Sequence, residues 1–199
     1  MQNSNMQNLP ADVTENADIV ARLMALGFMS PCEDGSFSAD KTVTRGEFAD
    51  AVAVLLGLGN IQFSPDSAFF LDVTEENPHR SAVLLALKSG YMTGYTDGTF
   101  RTEASLNVRD AARVLVKALG YNNVSGGKEL TGVAGSIGLL KGISDLDADL
   151  TRMTLAKLTD NALKVEFLNT VAVGAYITYQ SDKNLPVWRG CTTYIPIRV

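Results

Sequence analysis

Apolar residues recur at helical spacing in six runs, and the runs come in pairs. After Asn16, the residues Ile19, Val20, Leu23 and Met24 share one helical face; after Thr44, Phe48, Ala51, Val52, Leu55 and Leu56 do the same. A second pair follows, with Val83, Leu84, Ala86 and Leu87 after Pro78, and Ala111, Val114, Leu115, Ala118 and Leu119 after Asn107. The third pair is more worn: Val133, Ile137 and Leu140, then Leu155, Leu158, Ala162 and Leu163. Gly27, Gly57, Gly90 and Gly120 close four of the runs, as a left-handed residue past a helix end does. At the starts, Asn16 and Asn77 are expected N-caps, with Pro78 at the first helical position after Asn77. Thr44 and Glu47 have the spacing of a capping box, and Asn107 and Asp110 occupy the same two places in the second pair.

The polar loops between paired helices are as regular as the stripes. Residues 27–37 read Gly-Phe-Met-Ser-Pro-Cys-Glu-Asp-Gly-Ser-Phe, and 63 positions later residues 90–100 read Gly-Tyr-Met-Thr-Gly-Tyr-Thr-Asp-Gly-Thr-Phe. Asp34-Gly35 and Asp97-Gly98 are turn signals, and the aromatic residues anchor such a loop. In the third pair, residues 138–142 match 90–94, but the Asp-Gly-Thr-Phe turn is replaced by the shorter stretch 144–149. Asp12-Val13-Thr14-Glu15 and Asp72-Val73-Thr74-Glu75 open the first two units. A repeated loop between amphipathic helices means a repeated helix–loop–helix unit. Such a unit cannot bury its stripe alone, so three should stack into one core.

The expected division is a polar extension over residues 1–10, three units over 11–168 (11–59, 69–121 and 128–168), and a β segment over 169–199. Residues 60–69, with Pro65, and 125–127 read as connectors. In the tail, residues 171–179 read as one strand, 180–184 as a turn, and 194–199 as a second strand, with Trp188 in the loop between. A lone hairpin is marginal in water, so this one should pack on the repeats, on another chain or on a further domain.

Composition narrows function more than fold. A net charge of −5 without any basic run argues against nucleic acid as partner. No apolar run is long enough to span a bilayer, and residues 1–10 lack the basic start and apolar run of a secretion signal. Cys32 and Cys191, far apart, give neither a metal spacing nor a disulfide framework. The single histidine, His79, has no second histidine or nucleophile motif to work with, so no enzyme activity and no cofactor are expected. Asp145, Asp147 and Asp149 alternate like the start of a calcium loop, but the glycine and glutamate that complete one are missing.

The Asp72-Val73 start, the loop at residues 94–100 and Thr44-Arg45-Gly46-Glu47 together resemble the S-layer homology (SLH) family, over about residues 11–168. That family's repeat has an Asp-Val near its start, a Gly-Tyr-x-Asp-Gly-Thr-Phe loop and a Thr-Arg-Ala-Glu motif opening the second helix. The resemblance implies a mainly α fold: three repeats in a pseudo-threefold bundle, with grooves between repeats. It also implies noncovalent attachment, at the bacterial cell surface, to a cell-wall polysaccharide often carrying acidic pyruvyl groups. Only the first unit keeps both Arg45 and Glu47; the second has Val108 in place of the arginine, and the third reads Thr151-Arg152-Met153-Thr154, without the acid.

On this footing the candidate ligand residues are Arg45, Thr44, Glu47, Asp34, Asp97, Tyr95 and Arg152. Arg45 is the sharpest, since a guanidinium pairs with carboxylates. It is expected to point outward from the first turn, where a cation is slightly unfavourable, so that its loss would leave stability unchanged. Thr44 and Glu47 read first as caps, and Asp34 and Asp97 first as turn residues. The alternative role is a structural subunit of a surface array or virus particle, with the C-terminal tail providing self-association or contact to another structural protein.

Overall fold

The structure, a computed structural model, describes residues 9–60, 70–122, 129–173 and 176–182. These hold helices α1 (Ala17–Ala25), α2 (Arg45–Leu55), α3 (Arg80–Lys88), α4 (Val108–Ala118), α5 (Leu130–Ser136) and α6 (Arg152–Ala162). Strands β1 (Phe167–Val173) and β2 (Tyr176–Asp182) follow. Most of both expected connectors, Trp188, Cys191 and the expected strand at 194–199 lie outside the described residues.

The helices pair across unit boundaries. α2 packs on α3, α4 on α5 and α6 on α1, while α4 touches both α2 and α6. Each unit's second helix thus stands at the centre and is covered by the first helix of the next unit. The pairing of α1 with α6 closes the ring. At the middle, three short antiparallel bridges join the chain just before α2, α4 and α6: Thr42 to Thr151, Thr44 to Ser105, and Asn107 to Asp149. Val43, Leu106 and Leu150, each one residue before an N-cap, are buried beside these bridges. The result is a mainly α, pseudo-threefold bundle.

The starts of the central helices show the same symmetry. Thr44, Asn107 and Thr151 each accept from the amide three residues on, at 3.2, 2.8 and 3.2 Å. Glu47 returns a bond to the Thr44 amide at 2.9 Å, completing the capping box. The amides of the first two residues of each central helix have no partner inside the helix. Here the next unit's loop accepts them: Arg45 and Gly46 donate to the carbonyls of Ala104 and Thr102, Val108 and Arg109 to those of Ala148 and Leu146, and Arg152 and Met153 to those of Lys41 and Ala39. Five helices end at a left-handed glycine followed by an apolar residue whose amide reaches back five positions, whereas α6 ends without one.

Local expectations fail in three places. Asn16 sits at the N-cap position but in left-handed backbone (φ 52°), and its side chain caps nothing. Asn77 does accept from the His79 amide at 2.9 Å, but residues 77–79 form a turn and the helix starts at Arg80, two residues later than Pro78 suggested. The strand over 171–179 is in fact two: β1 and β2 are antiparallel, from Phe167 opposite Asp182 to Val173 opposite Tyr176. Residues 180–182, expected in a turn, belong to β2. Gly174 and Ala175, between the strands, lie outside the described residues. A continuous apolar run hides this reversal from periodicity. The hairpin is rooted on the bundle, where Leu168 donates to the Leu119 carbonyl at 3.0 Å and the Tyr121 hydroxyl donates to the Glu166 carbonyl at 2.9 Å. Gly120 is needed here, because a Cβ at this position would overlap the Leu168 carbonyl.

Candidate ligand grooves at the unit boundaries

Arg45 does not point into solvent. It is half-buried, and its guanidinium crosses from α2 into the second unit's loop, donating from Nε to the Phe100 carbonyl at 3.0 Å and from Nη2 to the Thr93 carbonyl at 2.8 Å. It lies 4.4 Å from the centre of the Phe100 ring and 5.2 Å from that of Tyr95. The outward expectation failed because helical position alone does not reveal a neighbouring loop. Arg152 repeats the arrangement one boundary away, donating to the carbonyls of Phe37 at 2.8 Å and Ser30 at 2.7 Å. Phe37 and Ser30 precede Phe100 and Thr93 by the same 63 positions as the loops.

The third boundary explains two sequence departures at once. An arginine at this position needs the full next loop to receive it, and the third unit's loop is the shortened one. Val108 stands there instead, buried, and the neighbouring Arg109 pairs with Asp147 at 2.8 Å. The missing arginine of the second unit and the missing turn of the third are therefore two sides of one interface. Asp145 accepts the amides of Asp147 and Ala148, so two members of the aspartate run are engaged in turn and ion-pair contacts. Among the described residues no group of His, Cys, Asp and Glu side chains has the placement of a metal site.

The loop itself is held by carboxylates. Asp72 accepts the amides of Phe100 and Arg101 at 2.8 and 2.6 Å, and Asp12 accepts those of Phe37 and Ser38 at 2.8 and 2.7 Å. Phe37 and Phe100 are fully buried below these bonds. Asp97 accepts from the Thr99 hydroxyl and amide and pairs with Arg101. The Thr99 hydroxyl first, then Arg101, hold its carboxyl down at about 2. Asp34 makes the matching bonds to Ser36, which lower its pKa too. Tyr95, 41% exposed, is flanked by two guanidinium groups, with Arg101 4.0 Å from its ring centre. Of the seven candidates, Arg45, Tyr95 and Asp97 therefore gather at the boundary of the first two units. Arg152 and Asp34 belong to the boundary of the third and first, and Thr44 and Glu47 are engaged in capping.

A cavity of about 230 Å³ lies beside Arg45, bordered by Met92, Thr93, Asp110, Arg113 and Lys117. Arg113 pairs with Glu129 at 2.7 Å. The sequence did not single out Lys117, although its place on the apolar-stripe helix, one turn beyond Arg113, was a usable signal. His79 has a structural setting: its ring lies over Gly46 and its Nδ1 is 2.6 Å from Asp50. Burial raises the Asp50 carboxyl, and the hydrogen bond from His79 offsets this only in part.

Residues 11–49 and 69–107 match the S-layer homology domain. The chain carries two S-layer homology repeats. The first match covers α1, its loop and the start of α2 with Arg45, and the second covers α3 and the loop that receives Arg45, ending at Asn107, the N-cap of α4. The surface layer protein of Brevibacillus choshinensis is 28% identical over 162 residues, 79% of this chain and 14% of that protein. The cell surface protein of Thermoanaerobacter kivui is 30% identical over 159 residues, 78% of this chain and 21% of that protein. The cellulosome-anchoring protein of Acetivibrio thermocellus is 31% identical over 94 residues, 47% of this chain and 21% of that protein. The chain thus spans about a fifth or less of the length of these relatives.

Proposed function

We propose that this chain is a noncatalytic anchoring module of the bacterial cell surface that binds wall polysaccharide in the groove at Arg45. The two S-layer homology repeats and the surface-layer and anchoring names of the relatives support the coarse role. The observation that carries the finer one is the seat of Arg45. Its guanidinium is fixed by two carbonyls between a buried and an exposed aromatic ring, on the edge of a cavity. Two of its five donors are used, which leaves a pre-oriented cation for an acidic sugar beside a ring on which a sugar face can stack. Co-sedimentation with purified sacculi tests this. The protein should pellet with sacculi that retain their accessory polysaccharide and stay in solution with stripped ones. Tyr95→Ala should weaken pelleting without lowering the melting temperature. Equal pelleting with both preparations would overturn the reading.

A second reading, assembly into a surface array through the tail, is favoured by the hairpin: each strand pairs on one side only among the described residues. Unpaired edges are templates for further strands. Removal of residues 167–199 should then lower the mass seen by light scattering.

A further inference from the structure

The joint that closes the ring differs in chemistry from the two joints inside it. Nine positions after their N-caps, the central helices carry Ala53, Val116 and Asp160. Five positions before their closing glycines, the covering helices carry Leu85, Val133 and Arg22. Where α2 meets α3 and α4 meets α5, these residues are all apolar and buried. Where α6 meets α1, the same two positions hold an ion pair. Asp160, 2% exposed, accepts from Arg22 Nε at 2.7 Å and also from Lys164. A buried carboxylate is costly without its cation, so this joint matches α1 to α6 and mismatches the apolar siblings of either helix.

The same joint is separable. Val20, Leu23 and Phe37 share a cluster with Ala156 of α6, apart from the main core, and the two clusters meet at Phe28, Met29 and Leu163. The carbonyls of Ser30, Phe37, Ala39 and Lys41 receive Arg152 and Met153 at the start of α6. Toward its own α2 the segment offers Lys41, 3.9 Å from Glu47. Residues 9–41 thus rest on the third unit and continue into the first through the run 42–44, where Thr42 bridges to Thr151 and Thr44 to Ser105. The other two joints unite consecutive units, whereas this one unites the first with the third.

We propose that residues 9–41 form an exchangeable arm that seats on α6 of a second copy, so that two chains close each other's rings. The swapped pair keeps the contacts of two closed monomers. What it loses is the effective concentration of the tethered arm, about millimolar for a flexible tether. The ion pair selects the seat: α6 of either copy accepts α1, and α2 and α4 do not. Arg45 sits at another boundary, so wall binding and arm exchange stand or fall separately.

The full chain should be warmed to the foot of its melting transition at about millimolar concentration, then cooled and diluted. Light scattering after size exclusion should then find a species of twice the monomer mass, and monomer alone would overturn the proposal. Charge reversal identifies the surfaces exchanged. Arg22→Asp sets a second carboxylate against Asp160, and Asp160→Arg sets a cation against Arg22 and Lys164, so each chain alone should melt below the parent. Mixed in equal amounts, the two should form a one-to-one heterodimer that melts above either, because both joints of the swapped pair then unite opposite charges. The chain carrying both changes should be a monomer with the parent's sharp transition. If that chain melts as the parent does and the mixture still stays as two monomers, the arm does not exchange. Dimers formed as readily by Asp160→Arg chains alone would place the contact elsewhere and would equally overturn the proposal.

Discussion

Arg45 places two opposing effects on one side chain. A cation at a helix N-terminus costs a few tenths of a kcal/mol against the dipole. Against that stand two hydrogen bonds from a charged donor to carbonyls of the next unit, each typically worth 1.5 kcal/mol or more, discounted because the group is half-exposed. The bonds win, so Arg45→Ala should lower stability by about 2 kcal/mol in denaturant unfolding. Thr44→Ala, which removes the cap alone, should cost about 1 kcal/mol. If Arg45→Ala proves neutral, the guanidinium is not a tie between units. Asp97 gives a pH signature at the same scale. Its folded pKa of about 2 lies below the usual carboxylate value near 4. Its contribution is therefore present above about pH 4 and is lost as pH falls through 2. Asp97→Asn should flatten the acid limb of stability in that window, read by fluorescence-detected unfolding.

Among the elements, the contact of α2 with α3 depends on a missing side chain. Gly46 is buried in the first turn of α2, and a Cβ there would collide with the His79 ring. In an open helix, Gly→Ala would be favourable by roughly 0.5–1 kcal/mol. Here the displacement of a ring that is bonded to Asp50 should reverse the sign. Gly46→Ala should destabilise the parent, and should be neutral or stabilising in a His79→Ala background. A double-mutant cycle reads the coupling, and simple additivity would refute the packing account. The same Gly46–His79 fit joins a central helix to the covering helix of the next unit, so its loss loosens a boundary and not just a helix.

At the scale of the molecule, stability comes from a ring in which every unit completes its neighbour. The closing joint is α1 on α6, where Asp160, buried, accepts from Arg22 and Lys164. Burial pushes that carboxyl up, but the two cations outweigh it and hold its pKa below the ordinary value. Deleting residues 129–199 removes α5 and α6, leaves α1 uncovered and strips the first loop's carbonyls from the α6 amides. The truncated chain should lose its sharp thermal transition and bind a hydrophobic dye. A monomer that still melts cooperatively would mean the units are independent.

The sequence determined many features whose partners lie within about six residues: the central-helix caps at Thr44 and Asn107, the glycine stops at Gly27, Gly57, Gly90 and Gly120, and the Asp34 and Asp97 turns, though not the Asn16 position, the start of α3 or the division of residues 171–179 into two strands. Those caps, stops and turns are fixed by bonds that form in the isolated segment, so residue type and spacing reveal them. The repeat also announced the three-unit architecture. Only the tertiary structure decided what crosses the boundaries: α2 on α3 and not on α1, Arg45 turned into Thr93 and Phe100, Lys117 brought beside Arg45, and α1 returned to α6. Each of these joins residues tens to more than a hundred positions apart. Nothing in local propensity or periodicity selects such partners, because the ring closes only when all three units bury their stripes together.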